Sequence, residues 1–236
     1  MDILVDYNNV RELERRRGAM FVVDKVLNAL GPVHLAHTQR VTFRLYDGWY
    51  ENQTPTRRAQ EVAAELQQET PKAVTIAVGS QQCKLIVNVE LAYSLKSAPA
   101  HHIWHTYRPR YYPGDVKFRD PSAAGCSDPR CPLIAAYRFF QGHRCPQAGC
   151  KLTPEAFLYR SEQKLVDTMM AADLFALHLQ SSRRIAVVTS DDDLWPPIKL
   201  VLQLGVQVFH IHTIPGRRTP PIYCRNAGTD YIQLDL

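Results

Sequence analysis

Residues 185–197 read IAVVTSDDDLWPP: four apolar residues run into Thr189, Ser190 and then three consecutive aspartates. A continuous apolar run bounded by polar residues is the pattern of a parallel strand covered on both faces. Asp191, Asp192 and Asp193 follow it directly, and carboxylates this close raise the cost of ionising one another. In open parallel sheets, functional groups gather beyond the carboxyl ends of the strands, which is where these acids fall. The stretch therefore predicts an α/β fold and a place in it for chemistry.

Outward from this strand, helices and strands alternate. Residues 164–179 carry Leu165, Met169, Ala172 and Ala176 on one helical face, and Pro196-Pro197 open a helix that runs to Leu204 before Gly205. Residues 206–211 and 231–234 read as further strands. Near the start, residues 3–5 form a short apolar strand ending at Asp6, and residues 20–30 a helix stopped by Gly31-Pro32. A strand follows over 40–46 and an amphipathic helix over 56–69. Residues 74–78 and 84–95 read as strands joined by a hairpin at 79–82. Helices alternating with apolar strands imply an α/β sandwich around a mainly parallel sheet.

The 236 residues are 45% hydrophobic and 22% charged, the balance of an ordinary globular protein. No apolar stretch approaches the roughly 18–20 residues of a membrane helix, and the first residues read as a strand, not a signal peptide. The expected compartment is the cytoplasm, with no membrane partner. The net charge is +5, yet between Lys96 and Arg160 ten Lys/Arg face four Asp/Glu, so the rest of the chain nets about −1. The positive excess sits in one segment, which suits a polyanionic partner or a solvated basic surface.

Asp6 ends the first strand, Asp191 and Asp193 follow a later one, and Asp167 lies on the first turn of the helix between. These acids can converge at one edge of the sheet. Taken singly, each has a plain alternative as a helix cap or a solvated residue. Together they resist ionisation without a cation, and carboxylates with few histidines favour Mg²⁺ or Mn²⁺. A hard ion held this way suits phosphodiester hydrolysis by activated water.

Here the chain resembles the NYN domains of the PIN-like nucleases. ILVDYNN is similar to their opening Asp-x-x-Asn pattern, and KLVDTMMAADLF to their Lys-Gly-Val-Asp helix, with Leu165 in place of glycine. VVTSDDDLWPPIKLVLQLGVQV resembles their Thr-Ser-Asp-x-Asp segment, and RNAGTDYIQL their closing segment. The resemblance covers residues 1–95 and 161–236. It implies a PIN-like three-layer α/β/α sandwich and a metal-dependent ribonuclease leaving 5′-phosphate and 3′-hydroxyl ends. Asp6, Asp167, Asp191 and Asp193 fall on its metal-binding acids, Asn9 on an orienting asparagine, and Asp192 on a variable position that points elsewhere. Asp47 matches a less constant part and is a rim residue or a turn aspartate. Ser190 and Lys164 are candidate substrate contacts, with capping and solvated roles as their alternatives.

Residues 96–160 break the regular pattern with repeated prolines and form an insertion. It contains CSDPRC and CPQAGC, in which Cys126, Cys131, Cys145 and Cys150 make two C-x₄-C pairs separated by thirteen residues. Such pairs can place four thiolates around a structural Zn²⁺; disulfides or unligated thiols are the alternatives. Cys83 and Cys224 read as buried, inert thiols in strands. HHIWHTYRPRYYPGDVKFR mixes aromatics with Arg108 and Arg110, which suits stacking and phosphate contacts on single-stranded or structured RNA or a small core of the insertion. RELERRR, after Asn9, steers phosphate or is a solvated loop.

The expected function is therefore a Mg²⁺- or Mn²⁺-dependent ribonuclease, acting alone, as an oligomer or with a partner protein. The alternative is a non-catalytic RNA- or protein-binding module on the same fold. A haloacid-dehalogenase-type phosphatase wants Asp-x-Asp after the first strand, where this chain has Asp6-Tyr7-Asn8, and a dinucleotide-binding enzyme wants a glycine-rich first turn, which is absent.

Overall fold

The computed structural model describes residues 1–111 and 117–236, and for 108–111 and 159–162 the backbone alone. In chain order the elements are β1 (Asp2–Asp6), α1 (Glu12–Arg15), α2 (Ala19–His34), β2 (Arg40–Tyr46), β3 (Tyr50–Glu51), β4 (Thr54–Pro55), α3 (Arg57–Glu69), β5 (Lys72–Val78), β6 (Gln81–Leu91), β7 (Ser94–Leu95) and β8 (Ala98–His102). Then come β9 (Tyr107–Tyr111), α4 (Pro132–Gln141), α5 (Pro154–Phe157), β10 (Tyr159–Gln163), α6 (Val166–Leu179), β11 (Arg184–Val188), α7 (Trp195–Gln203), β12 (Gln207–His212), α8 (Pro221–Cys224) and β13 (Tyr231–Asp235). They form two compact units, one of Met1–Tyr107 with Gln163–Leu236 and the other Arg108–Glu162. The smaller unit starts later than the break in composition at 96, because β8 pairs with β7 within the larger one. Among the described residues no helix is long and apolar enough to cross a membrane.

The larger unit is a mixed α/β fold around a seven-stranded sheet in the order β13-β12-β11-β1-β2-β6-β5. Every neighbouring pair is parallel except β5 and β6, which form an antiparallel edge hairpin. The central strands carry β-branched and aliphatic side chains to both faces. Ile3 and Val5 of β1 join Ala186 and Val188 of β11 in one core cluster with the apolar stripe of α2. Leu4, Ile185 and Val187 join a second cluster with α6 and α7. Ile185, Ala186, Val187 and Val188 are all fully buried, and burial of each Val or Ile contributes roughly 1.5–3 kcal/mol. The apolar run at 185–188 is thus a parallel strand between two helical cores.

Several local details follow from backbone chemistry. The helix over 20–30 does break at Gly31, which takes φ +62, and one more turn to His34 follows the kink. Thr56 caps α3 by accepting the Ala59 N–H at 3.3 Å. Gly48 admits the close approach of Tyr107, whose Cβ would lie 2.8 Å from any Cβ added there. The expected strand over 84–95 stops at Leu91, and Ser94–Leu95 turns away to pair with β8. Cys83 lies in β6 and is half-buried, but Cys224 ends the short helix α8 and is not in a strand.

A buried charge pair fastens α6 to the sheet. Asp173 is fully buried; its carboxylate takes the Arg44 guanidinium at 2.9 Å, the Tyr46 hydroxyl at 2.6 Å and the Lys96 N–H at 2.7 Å. Arg44 also reaches Glu90 and the Ser94 carbonyl. Removing one partner of such a pair strands the other charge without water. Asp173→Ala is expected to cost about 3–5 kcal/mol, measured as a fall in the urea-unfolding free energy.

Candidate active site

The chain leaves β1 in two directions. It builds β2, β6 and β5 on one side, then returns to build β11, β12 and β13 on the other. The strand order switches between β1 and β11, and the carboxyl ends of the strands at such a switch are where open α/β sheets bind ligands. Asp6 is the last residue of β1, and Asp191 and Asp193 lie just beyond β11. Asp167 sits on the first turn of α6.

Asp6 is 5% exposed. Its carboxylate accepts the Thr189 hydroxyl at 3.0 Å and the Asn9 N–H at 3.2 Å. Burial pushes its pKa up to about 7; the Thr189 bond opposes this, and the charges of Asp167 and Asp191 add to it. Asp167 is also raised, by loss of hydration and then by Asp191 and Asp193. The four acids therefore share one field. Among the described residues none of the four is in an ion pair, whereas Asp192 is held at 2.9 Å by Arg217. Asp191 caps the short turn that follows it, accepting the Asp193 N–H at 2.9 Å.

A neutral network holds these acids in place. The Asn9 side-chain Oδ1 accepts the Ser190 N–H at 2.8 Å and the Thr213 hydroxyl at 2.6 Å. The Ser190 hydroxyl lies 3.0 Å from Thr213 and accepts the Ile214 N–H at 3.0 Å. Ser190 is 3% exposed, with its hydroxyl engaged by Thr213 and the Ile214 N–H rather than turned to solvent. Behind it, His210 is buried and kept neutral, its pKa pushed down to about 3 by burial and then by His212. The Thr189 carbonyl can only accept, so His210 Nε2 carries the proton toward it at 3.2 Å and Nδ1 accepts the Tyr231 hydroxyl at 2.7 Å. Thr213 and His210 carry no sequence signal, because β12 brings them in only once the sheet is assembled.

Other candidates take more modest places. Lys164 lies before α6, not on it, and its N–H bonds the Thr106 carbonyl at 3.0 Å. Asp47 is buried at the end of β2, tied to Gly48, Arg58 and Gln163. RELERRR forms α1, and Arg11, Arg15 and Arg16 bond Glu14, Asn8 and Glu12. The side chains of Arg108 and Arg110 lie outside the described residues. In the smaller unit, Cys126, Cys131, Cys145 and Cys150 are free thiols. Phe118 stacks on Phe140 at 4.1 Å, yet α4 buries no residue. Among the described residues no set of three or more His, Cys, Asp or Glu side chains is gathered tightly enough to hold a metal ion as it stands.

No family model, curated protein or solved structure matches this chain.

Asp6 ionises near 3.8 when unfolded and near 7 when folded. Stability is therefore lost as pH rises between those values, and a neutral asparagine escapes the loss. At pH 8 in chelator, Asp6→Asn is expected to be more stable than the parent by about 1–3 kcal/mol, read from urea unfolding. Equal or lower stability would mean that the carboxylate is well accommodated without a cation.

Proposed function

We propose that this protein is a metal-dependent ribonuclease of the PIN-like type, with a three-layer α/β/α core that positions an acidic site. The observation that carries the reading is the arrangement of Asp6, Asp167, Asp191 and Asp193. They come from three separate parts of the chain to one carboxyl edge, where Asp167 and Asp191 add to the rise in the pKa of Asp6 and Asp191 and Asp193 to that of Asp167, and they leave Arg217 to the fifth acid, Asp192. A set of oxygen donors with excess negative charge fits a hard divalent cation such as Mg²⁺ or Mn²⁺. Such an ion, when bound, supplies Lewis acidity and countercharge for an attacked phosphodiester.

The chain's own groups then have separable tasks. The four aspartates hold the cation and orient water; Asn9, Thr189, Ser190 and Thr213 fix the acids; Lys164, Arg108 and Arg110 offer positive charge to an RNA strand. The departure at Leu165 also fits. Leu165 takes φ +69, in the left-handed region, directly before α6, so the backbone there is one that glycine adopts freely.

The smaller unit is read as zinc-stabilised. Its four thiols are the right donors for Zn²⁺, and a unit this poor in buried side chains needs a staple. The six free cysteines suit a reducing compartment such as the cytoplasm.

Hydrolysis of single-stranded RNA in Mn²⁺ is the expected activity. Asp191→Asn should lower it roughly 100-fold or more, as the loss of several kcal/mol of charge stabilisation implies, and Asp192→Ala should keep most of it. Equal loss in both variants would place the site elsewhere. Elemental analysis of the purified protein should find about one zinc per chain. Cys145→Ser should lose the metal and become more open to proteolysis within 108–162, and full retention of zinc in that variant would remove the four-thiolate reading.

A further inference from the structure

Two strands from Asp6, the same edge of the sheet carries a cluster of aromatic rings that the acidic site does not use. Asp6 pairs with Tyr46 across β1 and β2, and the Ala92 N–H bonds the Leu45 carbonyl at 2.9 Å across β2 and β6. The carboxyl ends of β1, β2 and β6 therefore stand level, with about 10 Å between the first and the last. Just beyond β6, the Tyr93 carbonyl accepts the Ile103 N–H at 2.7 Å, which hangs His102 and Trp104 at that edge.

The rings are fixed in place. Tyr50, 6% exposed, is the anchor: it meets Trp104 edge-on at 4.6 Å and Tyr93 at 5.1 Å, and its hydroxyl lies 3.1 Å from His102 Nδ1. His102 lies 5.2 Å from Trp104 and 5.8 Å from Tyr93. Thr106 then receives the Tyr50 N–H on its hydroxyl and the Lys164 N–H on its carbonyl. The cluster is thus joined by backbone to the segment that begins α6 and presents Asp167.

The Trp104 indole packs against both Tyr50 and His102, which also touch each other, yet it stays 39% exposed. That is costly as core packing and useful as a stacking surface. Its companions are His and Tyr, rings with polar edges, which suit a nucleobase better than an aliphatic partner.

We propose that Trp104, with His102 and Tyr93, is a ledge on which unpaired bases of a single-stranded nucleic acid stack as its backbone passes to the acids. The proposal rests on the nuclease reading and gives that site a preference for unpaired strands, since bases inside a duplex offer no free face.

Trp104 reports on itself, because the chain's other two tryptophans, Trp49 and Trp195, are 0% and 5% exposed. The full chain in chelator, where nothing is cut, is titrated with end-labelled oligouridylate and oligoadenylate of about 12 nucleotides. Anisotropy reads binding and tryptophan emission reads stacking. Both strands should bind and quench the accessible emission, while a duplex RNA of the same length leaves it unchanged. Trp104→Ala should weaken single-strand binding roughly 5- to 100-fold, and Trp104→Phe, which keeps the packing against Tyr50, should weaken it less. Strand binding without quenching, equal quenching by duplex, unchanged affinity in Trp104→Ala, or no binding at all would overturn the ledge. Cleavage in Mn²⁺ is scored separately. RNA cut without Trp104 quenching removes the ledge and leaves the nuclease; quenching without cleavage that depends on Asp191 does the reverse.

Discussion

Burying the Asp6 carboxylate beside other carboxylates is the constraint from which the rest of the carboxyl edge follows. A charge at the end of the central strand of this sheet has little access to water, and among the described residues Asp6 is in no ion pair. The protein accepts that cost at one point and surrounds it with neutral groups of fixed direction: Thr189 on the carboxylate, Asn9 on the backbone of the next strand, Thr213 on Asn9. Each bond ties the end of β1, or the turn after it, to the segments that follow β11 and β12. Strain of this kind collects at functional sites.

Helix α6 shows the same chemistry resolved in two ways. Asp173 and Asp167 lie within two turns of one another on it, with opposite surroundings. Asp173 has a guanidinium, a phenol and a backbone N–H, a complete set of partners deep in the fold. Asp167 lies exposed at the edge, its pKa raised by loss of hydration and then by Asp191 and Asp193. The first fixes the helix, and the second is then presented at a defined place. Arg44, which completes the buried set, works on the site only by holding that helix.

The central sheet was legible because its signals are local. Apolar runs at Ile3 and Ile185 sit on strands that meet their partners in parallel register, and the acids at their ends declare the edge. Thr56 as a cap and Gly31 as a break are likewise readable from residue type alone. The rest depended on distant pairings. Nothing in the neighbourhood of Asp173 reveals that Arg44 awaits it, and His210 becomes a support for Thr189 only when β12 lies against β11. Ser190 shows the same dependence: its sequence position does not reveal that Thr213 and Ile214, from beyond β12, engage its hydroxyl. The segment around Trp104 read as part of an insertion because its prolines and histidines hide a strand pairing with Ser94–Leu95.

Thr106 and Lys164 share a backbone hydrogen bond at 3.0 Å, so the chain departs for residues 108–162 and returns at almost the same point. To the sheet, the whole excursion is a closed loop whose two ends are already pinned. Lengthening such a loop is cheap, about 0.6 kcal/mol for each doubling, and shortening it leaves the pairing of the seven-stranded sheet as it was, since none of that sheet's strands lies within it. One backbone bond thus closes the excursion where it leaves and rejoins the larger unit, and the pairing of the sheet that carries the acids does not depend on what the excursion contains.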